Sequence, residues 1–229
     1  MVTPESRASE LLLEIYRRLY ALYGPQHWWP GESSFEVVVG AILTQAAAWS
    51  NVEKAIANLR NEGLLNPQGL LSVSVDRLSH MVYPSGYFNA KARKLKAFVE
   101  HLYLVYGGEL DRLFAQPVAD LRRDLLSIHG IGPETADSII LYAAAKPSFV
   151  VDAYTRRILS RLGLIAADAS YDQVQALFMA YLPAEAALFN EYHALLVRLG
   201  KETCRRRPLC AACPLLPICP TGRALLPPP

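Results

Sequence analysis

Apolar residues recur three and four positions apart along almost the whole chain, and no run of alternating β-branched residues interrupts them. That single period confines the chain to an all-α fold. Leu12, Ile15, Leu19 and Leu22 mark one face of a first helix, which Gly24-Pro25 stops. Ser33 followed by Glu36 resembles a capping box, opening an apolar helix over 37–43. Further helices are expected over 51–62, 76–81, 89–106 and 117–127, with Pro84-Ser85-Gly86 as a turn between two of them. A sharp break follows at His129-Gly130-Ile131-Gly132, and Pro133 suits the first position of a helix running to 145. Helices over 153–162, 171–181 and 186–199 complete the set. The tail over 216–229 is rich in proline and expected to be poorly ordered, with 221–229 flexible.

At 229 residues the chain can bury one large core or two modest lobes. Hydrophobic residues make up 52% and charged residues 19%, which excludes a disordered chain. No stretch approaches the ~20 apolar residues needed to cross a bilayer, so no membrane association is expected. Residues 1–10 lack the order of a signal peptide, and the chain reads as soluble and cytoplasmic. A net charge of +2 is too mild to argue for nucleic acid, so any DNA-binding surface requires basic residues gathered on one face. All four cysteines fall in one short window. Disulfides there would leave the main body unstapled, and the clustering favours a metal group.

Two glycines flanking Ile131 let the backbone turn tightly between two helices and expose main-chain N–H groups at a helix start, where a phosphate oxygen can be held. His129, Gly130, Gly132 and Thr135 are the candidate contacts; alone, the motif also fits an ordinary helical corner. A short helix further on, Asp152 follows the apolar run Phe149-Val150-Val151 and precedes Ala153-Tyr154-Thr155-Arg156-Arg157. A carboxylate there can cap a helix and nothing more. A hairpin followed at this distance by Val-Asp, however, resembles the helix-hairpin-helix Gly/Pro-Asp superfamily of DNA glycosylases. The resemblance runs from about residue 33 to Cys219. It implies that Asp152 faces a flipped nucleotide in damaged double-stranded DNA and that Gln45, in Leu43-Thr44-Gln45, fills the gap left by the extruded base. Gly86 to Ala92, with Lys91, is similar to a family segment beside the DNA backbone. It further implies a monomeric, nucleoid-associated protein.

Cys204, Cys210, Cys213 and Cys219 form the pattern Cys-x5-Cys-x2-Cys-x5-Cys. Four such thiolates enclose either a 4Fe-4S cluster or a single tetrahedral zinc, and spacing does not separate the two. The segment resembles the C-terminal cluster loop of endonuclease III and the related adenine glycosylase, though its first interval is one residue shorter than is usual in endonuclease III. The resemblance implies a structural 4Fe-4S cluster whose loop presents Arg205, Arg206 and Arg207 to phosphates; otherwise those arginines are a solvated charge run.

Bifunctional members of the superfamily attack the sugar with a lysine through a Schiff base. Here the corresponding position holds Glu134, which cannot form an imine. The expected enzyme is therefore a monofunctional glycosylase using water. Asp152 stabilises the oxocarbenium-like sugar and orients the water, and Glu134 is either a second catalytic acid or a solvated first-turn residue. His27-Trp28-Trp29-Pro30, Gln45 with Trp49 one helical turn on, and Gly130 to Asp137 look like the small 3-methyladenine-DNA glycosylases of the endonuclease III superfamily. There the corresponding aromatics line the base pocket, to which Lys201 is added as a neighbour; the closest-looking members lack the cluster loop. A purine alkylated at N3 or N7 carries positive charge, and a face-on indole attracts it by ~0.5–2 kcal/mol. Two lobes are expected, a helical barrel over 33–145 with the hairpin in 117–145, and a cluster domain of 1–32 with 146–220, the DNA lying across a cleft between them. The alternatives are an endonuclease III-like glycosylase and lyase acting on oxidised pyrimidines, with Lys91 or Lys201 as nucleophile, and a non-catalytic DNA-damage binding protein.

Overall fold

The structure, a computed structural model, describes residues 4–226. Its regular elements are helices, with no strand among the described residues. They are α1 (Pro4–Tyr23), α2 (Ser34–Leu43), α3 (Trp49–Asn61), α4 (Pro67–Ser72), α5 (Val75–Met81), α6 (Phe88–Tyr106), α7 (Leu110–Phe114), α8 (Val118–Ser127), α9 (Pro133–Ser138), α10 (Ala153–Arg161), α11 (Tyr171–Tyr181), α12 (Ala186–Glu202) and α13 (Pro220–Leu225). No helix is long and apolar enough to cross a membrane among the described residues.

The chain divides into two compact units, one from Trp29 to Lys146 and one joining the residues up to Trp28 to those from Pro147 onward. In the first, α2 is buried from Phe35 to Leu43 on every face and packs against α3, α6 and the end of α9. A helix apolar all round belongs inside a core. Ser33 caps it by accepting the Glu36 N–H, but the Glu36 carboxylate turns away to Arg60 at 2.9 Å, so only half of the expected capping box forms. In the second unit, Phe149 stacks on Phe178 with centroids 3.6 Å apart, and Phe189 and Tyr192 close around the pair edge-on. Leu12, Ile15 and Leu19 of α1 pack there, and the Tyr192 hydroxyl donates to the Leu12 carbonyl at 2.8 Å.

Two expectations change. The helix from Pro133 does not run uniformly to 145: α9 gives way to a π-helical turn at Ile139–Ala143. It ends at Ala145, which takes φ 51°, and the Lys146 N–H closes the end by donating to the Ile140 carbonyl at 3.0 Å. The tail is not unstructured through 221–225. Pro220 occupies the first turn of α13, where its missing N–H costs nothing, and the Cys219 sulfur accepts the Gly222 N–H at 3.2 Å. Residues 227–229 lie outside the described residues.

Within the second unit, α10 and α12 approach closely at Gly200: a Cβ there would lie 2.4 Å from the Tyr154 ring. The Gly200→Ala variant is therefore expected to lose ~1–3 kcal/mol of stability through overpacking, read as a lower urea midpoint with an unchanged slope.

Candidate active site

The buried run Phe149-Val150-Val151 delivers Asp152 to the N-cap of α10. Its Oδ1 accepts the Thr155 N–H at 2.7 Å, which satisfies one of the orphan amides of the first turn. The other oxygen, Oδ2, stands 3.8 Å from Nε2 of His193 on α12, and both side chains are largely buried. Burial holds the His193 imidazole below its ordinary pKa, against the opposing pull of the Asp152 charge. Asp152 is thus both a cap and a carboxylate with a second oxygen facing a histidine. Nothing in the sequence marked His193, which sits inside an apolar run on a buried helical face.

In the other unit the hairpin has the expected form. Gly130 takes φ 84°, and the aliphatic stem of Lys94 lies 2.4 Å from where a Cβ would stand, so a larger residue is strained and must displace Lys94. Ile131 is buried as the anchor, His129 is exposed, and Gly132 caps α9 with Pro133 in its first turn. Glu134 is exposed on that turn and Thr135 is buried. Below them, Asp137 is fully buried and paired with Arg122 at 3.0 Å, tying α9 to α8.

Gln45 is drawn into the hairpin. Its amide donates to the Gly130 carbonyl at 3.1 Å and to the Thr135 hydroxyl at 2.8 Å, while its carbonyl accepts from Lys94. Lys91 corrects an expectation: it is 2% exposed and does not face a DNA backbone. Its ammonium donates to the carbonyls of Leu43 at 2.8 Å and Ser85 at 2.6 Å, and burial, with Lys94 nearby, lowers its pKa to about 8. It joins the loop that carries Gln45 to the turn before α6. Tyr87, overlooked in the sequence, projects from that turn 75% exposed, with φ 45°.

The aromatic candidates separate. Trp29 meets Trp49 edge-on with centroids 5.2 Å apart and Tyr142 at the same distance, and its indole lies over Gly40, where a Cβ would come within 3.1 Å. With Pro30, Trp29 and Trp49 line an open hollow of about 440 Å³, into which Glu32, Glu36 and Glu53 bring carboxylates and Arg60 a partner for them. Trp28 belongs to the other unit, where the Lys201 ammonium sits 6.0 Å from its ring centroid.

The four cysteines line one small cavity of about 20 Å³. Arg161 donates to the Cys204 sulfur at 3.2 Å and to the carbonyls of Arg205 and Arg206, and Arg157 holds the Cys204 carbonyl at 2.8 Å. Arg205, Arg206 and Arg207 are exposed. Burial and then the neighbouring sulfurs push the Cys210 thiol up; burial does the same for Cys213. Such a set is poised for a cationic group, which reverses that cost by binding the thiolates. Among the described residues no three of these side chains close on a point that could hold a single metal ion. Four thiols around one cavity supply the donors that either an extended iron–sulfur cluster or a tetrahedral ion requires.

The sequence pattern described as HhH-GPD superfamily base excision DNA repair protein matches residues 39–184, a span that includes the hairpin and Asp152. The chain belongs to the HhH-GPD superfamily. A provisionally named DNA repair glycosylase of Methanocaldococcus jannaschii is 46% identical over 213 residues, covering 92% of this chain and 96% of its own. A structure of a trapped endonuclease III–DNA covalent intermediate superposes with a TM-score of 0.81 at 22% identity, covering 98% of this chain and 99% of that one, a likeness of fold. The crystal structure of an H. pylori 3-methyladenine DNA glycosylase bound to 1,N6-ethenoadenine reaches a TM-score of 0.73 at 27% identity, covering 85% and 97%.

For this HhH-GPD glycosylase, base excision repair of DNA frames the geometry above. The hairpin, Gln45 and Lys94 form one hydrogen-bonded group in one unit; in the second, Asp152 Oδ2 and His193 Nε2 face each other at 3.8 Å, longer than a hydrogen bond. The role of Lys91 can be checked directly. Lys91→Met leaves two buried carbonyls without a donor and is expected to cost ~2–4 kcal/mol of stability. Its affinity for undamaged duplex, by fluorescence anisotropy below the melting transition, should match that of the wild type.

Proposed function

We propose that this chain is a monofunctional DNA glycosylase that hydrolyses the N-glycosidic bond of a damaged base flipped out of double-stranded DNA, with alkylated purines as the preferred substrate. The observation that carries the reading is that Asp152 keeps one oxygen out of its helix cap, while the sequence holds Glu134 where a lyase lysine would stand. Bond breakage sends the electron pair of the C1′–N bond to the departing base and leaves positive charge on the sugar. The Asp152 carboxylate stabilises that charge. Water then adds to C1′ and gives up a proton, for which Asp152 is the nearest base in this reading. Glu134 is exposed on the hairpin turn and is assigned no step. A purine alkylated at N3 or N7 is cationic and a good leaving group, and the Trp29–Trp49 pair with carboxylates around its hollow supports a preference for such a base.

Gln45 is read as filling the vacated stack after leaving its hairpin partners, with Tyr87 offered for base stacking. His129 and the amides around Gly130, Gly132 and Thr135 are read as phosphate contacts, as are Arg205 and Arg206. Cys204, Cys210, Cys213 and Cys219 would hold a 4Fe-4S cluster, which when bound cross-links this loop. The protein is read as acting alone, as a monomer.

A lyase on oxidised pyrimidines would need a lysine nucleophile. Lys91 is spent on two carbonyls, which leaves Lys201. Oligonucleotides carrying alkylated purines, oxidised pyrimidines, uracil and mismatches should be assayed in parallel. Release of alkylated purines with alkali-dependent strand scission is expected, and Asp152→Asn should slow release by about 100-fold or more while keeping the helix cap and DNA affinity. Borohydride trapping that disappears in Lys201→Ala would overturn the monofunctional reading; DNA binding without release of any base would favour a damage-binding protein.

Elemental analysis gives a separate check of the cysteine loop. Brown protein containing iron is expected, and Cys213→Ser should lose both iron and colour. Stoichiometric zinc in colourless protein would overturn the cluster.

A further inference from the structure

Asp152 Oδ1 is fixed by the first turn of α10, but one contact leaves a carboxylate free to swing about its Cβ–Cγ bond. The second contact comes from α12. His193 presents Nε2 to Oδ2 at 3.8 Å, and its ring stands edge-on to Phe149, with centroids 6.5 Å apart. Phe149 is itself locked between Phe178, Phe189 and Tyr192. The imidazole is therefore held by a rigid aromatic cluster, three residues upstream of the carboxylate it faces. We propose that His193 is a positioning residue: it sets the orientation of Asp152 through Oδ2, and it gates the charge of that carboxylate by its own protonation. The inference rests on the glycosylase reading of Asp152.

At 3.8 Å the two groups stand beyond hydrogen-bond distance, so with the imidazole neutral the ring edge packs against the carboxylate, limits its swing and leaves its charge available to the sugar cation. With the imidazole charged, the two form an ion pair whose positive partner opposes the same cation. Burial favours the neutral state, so the gate closes only as pH falls through the lowered pKa of His193. The other charged groups on the elements packed around α12 are directed elsewhere. On α10, Arg156 reaches the Ala169 carbonyl, and Arg157 the carbonyls of Gly200 and Cys204. On α1, Arg17 and Arg18 pair with Glu14. On α12 itself, Glu191 accepts the Gln26 N–H and Arg198 pairs with Glu202. Asp152 is a charged group that bears on the imidazole, and its charge raises the pKa that burial lowers.

Two measurements test this. The first needs no activity: the His193 ring nitrogens are titrated by NMR in the wild-type protein and in Asp152→Asn, which preserves the helix cap. The midpoint should fall in the variant, because the carboxylate that raises it is gone; identical titrations overturn the proposal. The second is the single-turnover rate of base release against pH. His193→Gln retains an N–H donor but cannot titrate, so it should lose the acid limb of the profile and stay within about fivefold of wild type near neutrality. His193→Phe should slow release by about 10-fold or more through misplacement of Asp152, with affinity for abasic-site DNA unchanged. Superimposable profiles for wild type and His193→Gln overturn the gating. If the wild-type protein releases no base at all, the glycosylase reading falls and the catalytic role of His193 with it. The NMR coupling would still register the contact, so the two failures are distinguishable.

Discussion

The contact between α10 and α12 is the constraint from which the catalytic geometry follows. Gly200 lets the two helices come together over the Tyr154 ring, and that approach sets how far Asp152, at the first end of α10, stands from His193, nearly two turns back along α12. At the other end of α10, Arg157 and Arg161 grasp the backbone and one sulfur of the cysteine loop. One short helix therefore carries the acid at its N-terminus and the loop at its C-terminus. Its polarity serves both, because a carboxylate is favoured at the positive end of the helix dipole and cations at the negative end.

The Trp29–Lys146 unit uses a different device. Its hairpin, the loop after α2 and the turn before α6 are joined by polar side chains. Lys91 and Lys94 lie one turn apart on α6 and serve different partners: Lys91 holds two carbonyls, Lys94 holds Gln45 and fills the space beside Gly130. Buried ammonium groups are tolerated when donors and acceptors are matched in this way, and removing one partner is then costly.

Much of this was legible in the chain because it is local. A glycine pair, a Val-Asp step and four close cysteines each report on the few residues around them, and helical spacing reports on the fold class. Proline was misread in the tail because composition suggested disorder, whereas Pro220 after a capping Cys219 starts a helix. The capping box at Ser170 with Gln173, and Asn66 ahead of Pro67, were present as local signals and went unread. What was not legible is the set of pairings between distant positions. His193 lies 41 residues from Asp152 and is hidden in an apolar helix, and Arg122 with Asp137 joins two helices across the hairpin. Lys91 was expected at a DNA backbone because the segment from Gly86 to Ala92 resembles a family segment that lies there. Only the buried carbonyls at the end of α2 explain why it does not.

Gly40 has a consequence for how such a scaffold can change what it accepts. The hydrogen at its α-carbon is what lets the Trp29 indole settle flat on α2, against Trp49 and Tyr142. Because α2 is buried on every side, the helix itself has nowhere to retreat, and any bulk added at this point must be absorbed by the indole. The floor beneath the aromatic wall is thus an adjustable shim, able to alter the shape offered to a guest without touching a single residue that meets it.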